Sequence, residues 1–216
     1  PAFLDEDTAF VTYHPTDNFS IPDYIPVWFT EDGGTSWTQM TSIEDLYSDG
    51  VWFPLFLDFV DPQHGWLLVN VGAGMSHSYV VLYSTRDGGQ TWETLINPYD
   101  DTSIQLCSKT GMQFANPDFG VLTFDCSGVT PASLAVTDDG GRTWLVSQPL
   151  SDSPFIDDFE ITEETYCLTD ALNMTHGELP DIEIAMRLTC KRFENDTLIE
   201  REFLIYSTNG AVSWPI

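Results

Sequence analysis

Positive charge is the scarcest property of this 216-residue chain. It holds 7 Lys+Arg against 34 Asp+Glu, a formal net charge of -27. A surface so acidic repels phosphate backbones and anionic headgroups, which argues against nucleic-acid partners and against membrane insertion. Long apolar runs are missing too. The longest, Val51 to Val60, is interrupted by Pro54 and Asp58, far short of the roughly 18 residues a spanning helix needs. No basic, then apolar leader opens the chain, and its first residue is Pro1. The expectation is that something upstream was removed or that this is a segment of a longer protein. No stretch carries a helical period. The chain is still 42% hydrophobic and 13% aromatic, too apolar for a disordered acidic tail.

Several chemical signatures are also absent. The cysteines, Cys107, Cys126, Cys167 and Cys190, form no C-x-x-C pair, so zinc and thioredoxin-like chemistry are disfavoured. Pairing Cys107 with Cys126 and Cys167 with Cys190 would link neighbouring strands. Such bridges favour an oxidising compartment, hence an extracellular or cell-envelope location. The alternative is four buried thiols. His14, His64, His77 and His176 are isolated, with no metal-ligand spacing. Gly72-Ala-Gly74-Met-Ser-His77 lacks the following helix and third glycine of a phosphate loop. G-x-S-x-G is missing. Calcium is the one metal worth carrying, on the acid pairs Asp100-Asp101, Asp138-Asp139 and Asp157-Asp158. None fits D-x-D-x-D-G spacing, and surface acidity accounts for them. No metal ligand or cofactor is assigned. Sequons occur at Asn18, Asn173 and Asn195.

What is present is a repeat. Thr30-x-Asp32-Gly33-Gly34-x-Ser36-Trp37 returns as Thr85-x-Asp87-Gly88-Gly89-x-Thr91-Trp92 and as Thr137-x-Asp139-Gly140-Gly141-x-Thr143-Trp144. A degenerate copy keeps the register from Ser207 through Asn209, Gly210 and Ser213 to Trp214. Ahead of the copies runs a second pattern, Phe59-x-Asp61-Pro-x-x-Gly65-Trp66 and Phe114-x-Asn116-Pro-x-x-Gly120-Val121. Weaker versions start at Phe3 and at Phe159. Two patterns in one phase, with a period near known blade lengths, imply stacked antiparallel meanders. In each, Asp and Thr accept backbone N–H bonds in a tight turn and glycine supplies positive φ. The tryptophan then opens an outer strand and buries itself against a neighbouring unit. Trp37, Trp92, Trp144 and Trp214 are the stability priorities.

The Thr-x-Asp-Gly-Gly-x-Thr-Trp units resemble the Asp-box, or BNR repeat, of sialidase-like β-propellers. The preceding Phe-x-Asp-x-x-x-Gly-Trp element is similar to the blade openings of propellers like the photosystem II assembly factor. The resemblance covers nearly the whole chain and implies an all-β, partial β-propeller of about four blades, each an antiparallel four-stranded sheet. The expected blades are 1–42, 43–97, 98–149 and 150–216, the last carrying an elongated hairpin insertion with Asn195-Asp196 at its tip. A closed four-bladed ring is the alternative. The resemblance also implies that the Asp-box is a structural turn, so Thr30, Asp32, Gly34, Trp37, Thr85, Asp87, Gly89, Trp92, Thr137, Asp139, Gly141, Trp144, Asn209, Gly210 and Trp214 are structural and no catalytic residue is assigned.

Sialidase chemistry resembles three arginines converging on a carboxylate. Arg86 and Arg142 sit in the turns, leaving only Arg187, Arg192 and Arg201 in one hairpin. A pair of carboxylates for glycoside hydrolysis cannot be localised, with Asp58 and Asp61 the nearest candidates. Lys109, one of two lysines, is expected to pair with a nearby carboxylate. The reading is a non-enzymatic scaffold for a protein partner or a glycan. The alternatives are a sialidase-like glycoside hydrolase and a carbohydrate-binding propeller.

Overall fold

The computed structural model describes residues 1–13, 24–44, 52–74, 77–105, 107–125, 133–147, 166–195 and 197–208. Among them the regular structure is all strand, and no helix is long and apolar enough to cross a membrane. Sheet 1 holds β1 (Ala2–Phe3), β2 (Ala9–Thr12), β3 (Val27–Thr30) and β4 (Thr38–Gln39). Sheet 2 holds β5 (Phe53–Phe59), β6 (Gly65–Gly74), β7 (His77–Thr85) and β8 (Glu93–Ile96). Sheet 3 holds β9 (Ser108–Phe114), β10 (Gly120–Asp125), β11 (Ser133–Thr137) and β12 (Leu145–Ser147). Sheet 4 holds β13 (Tyr166–Met174), β14 (Ile184–Glu194) and β15 (Thr197–Ser207). All are antiparallel meanders in chain order.

Two compact units result, Pro1–Gln105 and Leu106–Ile216. In the first, the alternation of side chains along each strand sends Phe10 and Val27 of sheet 1 onto Phe59, Leu67, Val81 and Tyr83 of sheet 2. Gln105 closes this unit: its side chain takes the Val80 N–H at 2.7 Å and donates to the Val80 carbonyl at 3.0 Å. In the second unit, Val121 and Leu134 of sheet 3 pack on Met174, Ile184 and Met186 of sheet 4. Both sheets of each pair are apolar on the shared face, as stacked sheets require.

The register corrects the reading of the fourth repeat. The residue closing the first strand pairs with the residue opening the second: Phe3 with Ala9, Phe59 with Gly65, Phe114 with Gly120, and Met174 with Ile184. That second residue pairs onward with Thr30, Thr85, Thr137 and Ser207. Met174, not Phe159, is therefore the leading residue, and Phe159 lies outside the described residues. Tyr166 opens the first strand of sheet 4 rather than the second. The elongated hairpin β14–β15 is the body of the sheet and not an insertion on it. What is lengthened is the connection from Thr175 to Glu183, held by the Thr175 N–H to the Glu183 carbonyl at 2.9 Å.

The same register explains an exception in the first repeat. At Gly65 and Gly120 an added Cβ would fall inside contact distance of the Phe59 and Phe114 rings, which lie directly over the glycine. Ala9 occupies this place in sheet 1. Its methyl group denies Phe3 that seat, and Phe3 is 72% exposed where Phe59 is 2%.

Candidate functional site

The two sequence patterns meet in space. In each of the first three sheets the turn threonine donates to the aspartate Oδ1, at 2.9, 2.9 and 2.8 Å for Thr30–Asp32, Thr85–Asp87 and Thr137–Asp139. Its hydroxyl accepts the second glycine's N–H, from Gly34, Gly89 and Gly141, at 3.0, 2.8 and 2.9 Å. The aspartate also accepts the N–H and hydroxyl of Ser36, Thr91 or Thr143 at 2.6 to 2.9 Å. Both glycines of these three copies have positive φ, which a side chain resists.

The loop between first and second strands is an Asx turn. Asp5 Oδ1 accepts the Asp7 and Thr8 N–H groups, and Asp61 those of Gln63 and His64. Asn116 accepts those of Asp118 and Phe119. The first glycine then joins turn to loop. Gly33, Gly88 and Gly140 donate to the carbonyls of Asp7, Gln63 and Asp118 at 2.9, 3.0 and 2.7 Å. Each of the first three repeats thus ends in a clasp whose halves are the two motifs.

The clasp uses the acids that sequence analysis singled out. Hydrogen bonds from Ser36, first its hydroxyl and then its N–H, hold Asp32 below the usual carboxylate range. At Asp87 and Asp139, burial works upward, but the bonds from Thr91 and Thr143 and from the turn threonines outweigh it and the net direction is down. Asp61 behaves alike, with burial opposed by His64 and by the Gln63 N–H. His64 Nδ1 lies 2.8 Å from Asp61 Oδ2. Asp61 is thereby a loop former. A depressed folded-state pKa contributes stability that is present above the unfolded value, about 4, and is lost as pH falls through the folded one. Relief of the -27 self-repulsion acts oppositely as pH drops toward the pI of about 4.1. Thermal melts are therefore expected to rise from pH 7 toward about 5 and to fall below about 4. Asp87→Asn should flatten the acid limb, and an unchanged limb in that variant would contradict this assignment.

Trp92 packs on the core shared by sheets 1 and 2, as expected, while Trp37 does not. Trp92 and Trp144 meet the leading Phe of their own sheet edge-on, at 6.2 and 6.1 Å from Phe59 and Phe114. Trp144 and Trp37 donate Nε1–H to the carbonyls of Gly141 and Gly34 at 3.1 Å. Trp92 Nε1 is buried without a partner. Trp37 is 40% exposed, not buried against a neighbour, because Phe3 is displaced from the place where Phe59 and Phe114 receive the later indoles. Asn209, Gly210 and Trp214 lie outside the described residues.

Cys167 and Cys190 face each other across β13 and β14 and are disulfide-bonded. Cys107 is disulfide-bonded as well, while Cys126 lies outside the described residues. Lys109 is buried. Its ammonium donates to the Cys107 carbonyl at 2.8 Å and sits 5.5 Å from the Phe124 ring centre. Burial pulls the amine down to about 7.

The three arginines of sheet 4 do not share one face. Arg187 pairs with Leu204, whereas Arg192 and Arg201 pair with Ile199 and Cys190 on the opposite face of the hairpin. Among the described residues no group of His, Cys, Asp and Glu is placed to hold a metal ion. Of the acid pairs proposed for calcium, Asp100 binds Asn97 Nδ2 and Asp101 binds the Ser103 N–H. Asp139 is committed to its turn, and Asp157-Asp158 lies outside the described residues. An open cleft of about 420 Å³ lies between sheets 1 and 2, floored by Phe10, Phe29 and Met40 and walled by the clasp residues Gln63, Arg86 and Gln90. Beyond the last β13 partner, β14 and β15 continue as a two-stranded tip through Arg192↔Ile199, Phe193↔Leu198 and Glu194↔Thr197. Phe193 and Leu198 are exposed there.

No family model matches the chain, and no curated protein matches it. Solved structures do. A GH93 α-L-arabinofuranosidase of Fusarium graminearum in complex with arabinobiose superposes with a TM-score of 0.52 at 14% identity. It covers 94% of this chain and 59% of its own. The Arb93A arabinofuranosidase of the same organism, with an iminosugar inhibitor, gives 0.50 at 13% identity, over 95% of this chain and 63% of its own. The fold is that of a β-propeller. The four sheets are its blades, and the chain spans about three fifths of the length of these two enzymes. YCF48 from Cyanidioschyzon merolae is also similar, with a TM-score of 0.43 at 12% identity, over 90% of this chain and 60% of its own.

Proposed function

We propose that this propeller segment is a non-enzymatic binding scaffold of the extracellular space or cell envelope, taking a protein partner. The observation that carries this reading is how the conspicuous acids are spent. Asp5, Asp32, Asp61, Asp87 and Asp139 are all engaged by donors of their own turns, and the arginines of blade four are split between the two faces of the hairpin. The tip of β14–β15 suits contact: Phe193 and Leu198 form an exposed apolar pair, flanked by the ion pairs Lys191–Glu200 at 3.0 Å and Arg192–Glu194 at 3.6 Å. The disulfide braces the sheet beneath it and suits an oxidising compartment.

The test is paired affinity capture from culture supernatant with the wild type and a Phe193→Ser/Leu198→Ser variant. A protein retained by the first and lost by the second supports the reading; equal retention of every protein removes the tip as the contact. The second reading is glycoside hydrolysis, favoured by the likeness to GH93 arabinofuranosidases. Turnover of 4-nitrophenyl α-L-arabinofuranoside, abolished by one carboxylate substitution, would replace the scaffold reading with that one.

A further inference from the structure

Nearly all of the chain's scarce positive charge is already engaged. Of the 7 Lys+Arg, Lys191 and Arg192 pair with Glu200 and Glu194. Lys109 donates to the Cys107 carbonyl. Arg142, Arg187 and Arg201 each have an interaction of their own. Among the described residues Arg86 is the one lysine or arginine with neither ion pair nor hydrogen bond, in a chain of 34 acids. The turn does not call for a cation there. The same position is Glu31 in blade one and Asp138 in blade three. Nor does the adjacent Asp87 take it up, since Thr85 and Thr91 occupy both of that carboxylate's oxygens.

Arg86 stands instead on the wall of the cleft between blades one and two. The floor is apolar, made by Phe10, Phe29 and Met40, and two carboxamides, Gln63 and Gln90, share the wall with the guanidinium. Its volume of about 420 Å³ falls in the lower part of the range of small-ligand sites, roughly 300–1,000 Å³. All of these residues belong to the unit Pro1–Gln105, whose two blades share one core. The walls are therefore complete without a further blade or a second copy.

We propose that this cleft binds the C-terminal residue of a polypeptide, one with an apolar side chain. Three chemistries meet in the cleft, and such a residue carries all three. The unpaired guanidinium takes the terminal carboxylate, for which its fork of donors is matched. Gln63 and Gln90 each offer a donor and an acceptor to the last peptide unit. The floor of Phe10, Phe29 and Met40 takes the side chain. A single negative charge also suits the surroundings. A net charge of -27 repels a polyanion as a whole, whereas one carboxylate meets one unpaired cation at close range. The site is separate from the β14–β15 tip, which lies in the other unit, so loss of binding at either leaves the other standing.

An NMR titration of the full 216-residue chain with acetyl-Gly-Gly-Leu tests this. Saturable shifts are expected at the Arg86 Nε–H and at the side-chain amides of Gln63 and Gln90. The same peptide with its C-terminus amidated should bind at least ~10-fold more weakly, having lost the charge-assisted pair. Acetyl-Gly-Gly-Gly should also lose at least ~10-fold, having no side chain for the floor. Arg86→Gln should bring acid and amide forms to equal affinity. Arg86 is exposed and unpaired, so that variant should keep the wild-type spectrum elsewhere. Arg142→Gln, on the corresponding turn of blade three, should change nothing. Absence of saturable shifts up to about 10 mM peptide would overturn the proposal. So would shifts confined to other residues, or a preference for the acid that survives Arg86→Gln. Glucuronate binding as tightly as the peptide would overturn it too, by making the site one for a sugar acid.

Discussion

Phe59→Ala is expected to lower unfolding stability by about 3–5 kcal/mol, the usual range for a fully buried phenylalanine. Three contacts are lost together. The ring lies over Gly65, stacks on Phe10 at 3.6 Å, and takes Trp92 edge-on at 6.2 Å. The backbone cannot close over the hole, because Phe59 is paired in a seven-residue strand. Phe3→Ala removes the same residue type from the same place in the repeat, but from solvent, and should stay within about 0.5 kcal/mol. Denaturant unfolding of both variants checks the contrast. A loss below about 1 kcal/mol at Phe59, or equal losses at both sites, would contradict the packing described.

The second large effect is expected at the clasp. Gly88→Ala meets two obstacles: the backbone sits at φ 69°, and the new methyl would lie 2.7 Å from the Pro62 carbonyl oxygen. A backbone oxygen cannot swing aside as a side chain does, so the turn must lift from the loop and give up the Gly88–Gln63 hydrogen bond. Left-handed backbone costs an L-residue about 1–2 kcal/mol, and the forced overlap adds about 1–3 kcal/mol. Gly33→Ala separates the two terms. Its φ is 65°, but the nearest atoms lie at 3.6 Å, so only the first cost applies. Gly88→Ala should therefore destabilise clearly more than Gly33→Ala under the same denaturant titration. Equal losses would mean the turn does not press on the loop.

The parts of this architecture legible in the sequence are those made by local side-chain chemistry. A threonine and an aspartate two residues apart, followed by paired glycines, supply the donors, acceptors and positive φ of a tight turn, and the turns at Asp32, Asp87 and Asp139 use them. The strands of the β14–β15 hairpin were legible from their apolar content. Their role was not, because Phe159 and Tyr166 reproduce the seven-residue spacing of the other repeats while Met174, the true register residue, is not aromatic. The clasp itself was hidden for a different reason. Its acceptors are main-chain carbonyls of Asp7, Gln63 and Asp118, and a carbonyl leaves no mark on residue type. The displaced Phe3 did leave one, in Ala9 standing where Gly65 and Gly120 recur. The candidate site was the least legible, since the tip is defined by the exposure of Phe193 and Leu198 and not by a motif.

Amide hydrogen exchange at Gly33, Gly88 and Gly140, resolved by NMR on the folded chain, tests the clasp most directly. Each of these N–H groups donates across to the neighbouring loop, so all three should exchange far more slowly than the Thr35 amide, whose 3.4 Å contact stays inside its own turn. Exchange of the three glycine amides at the rate of an open turn would show that the two motifs fold side by side without joining.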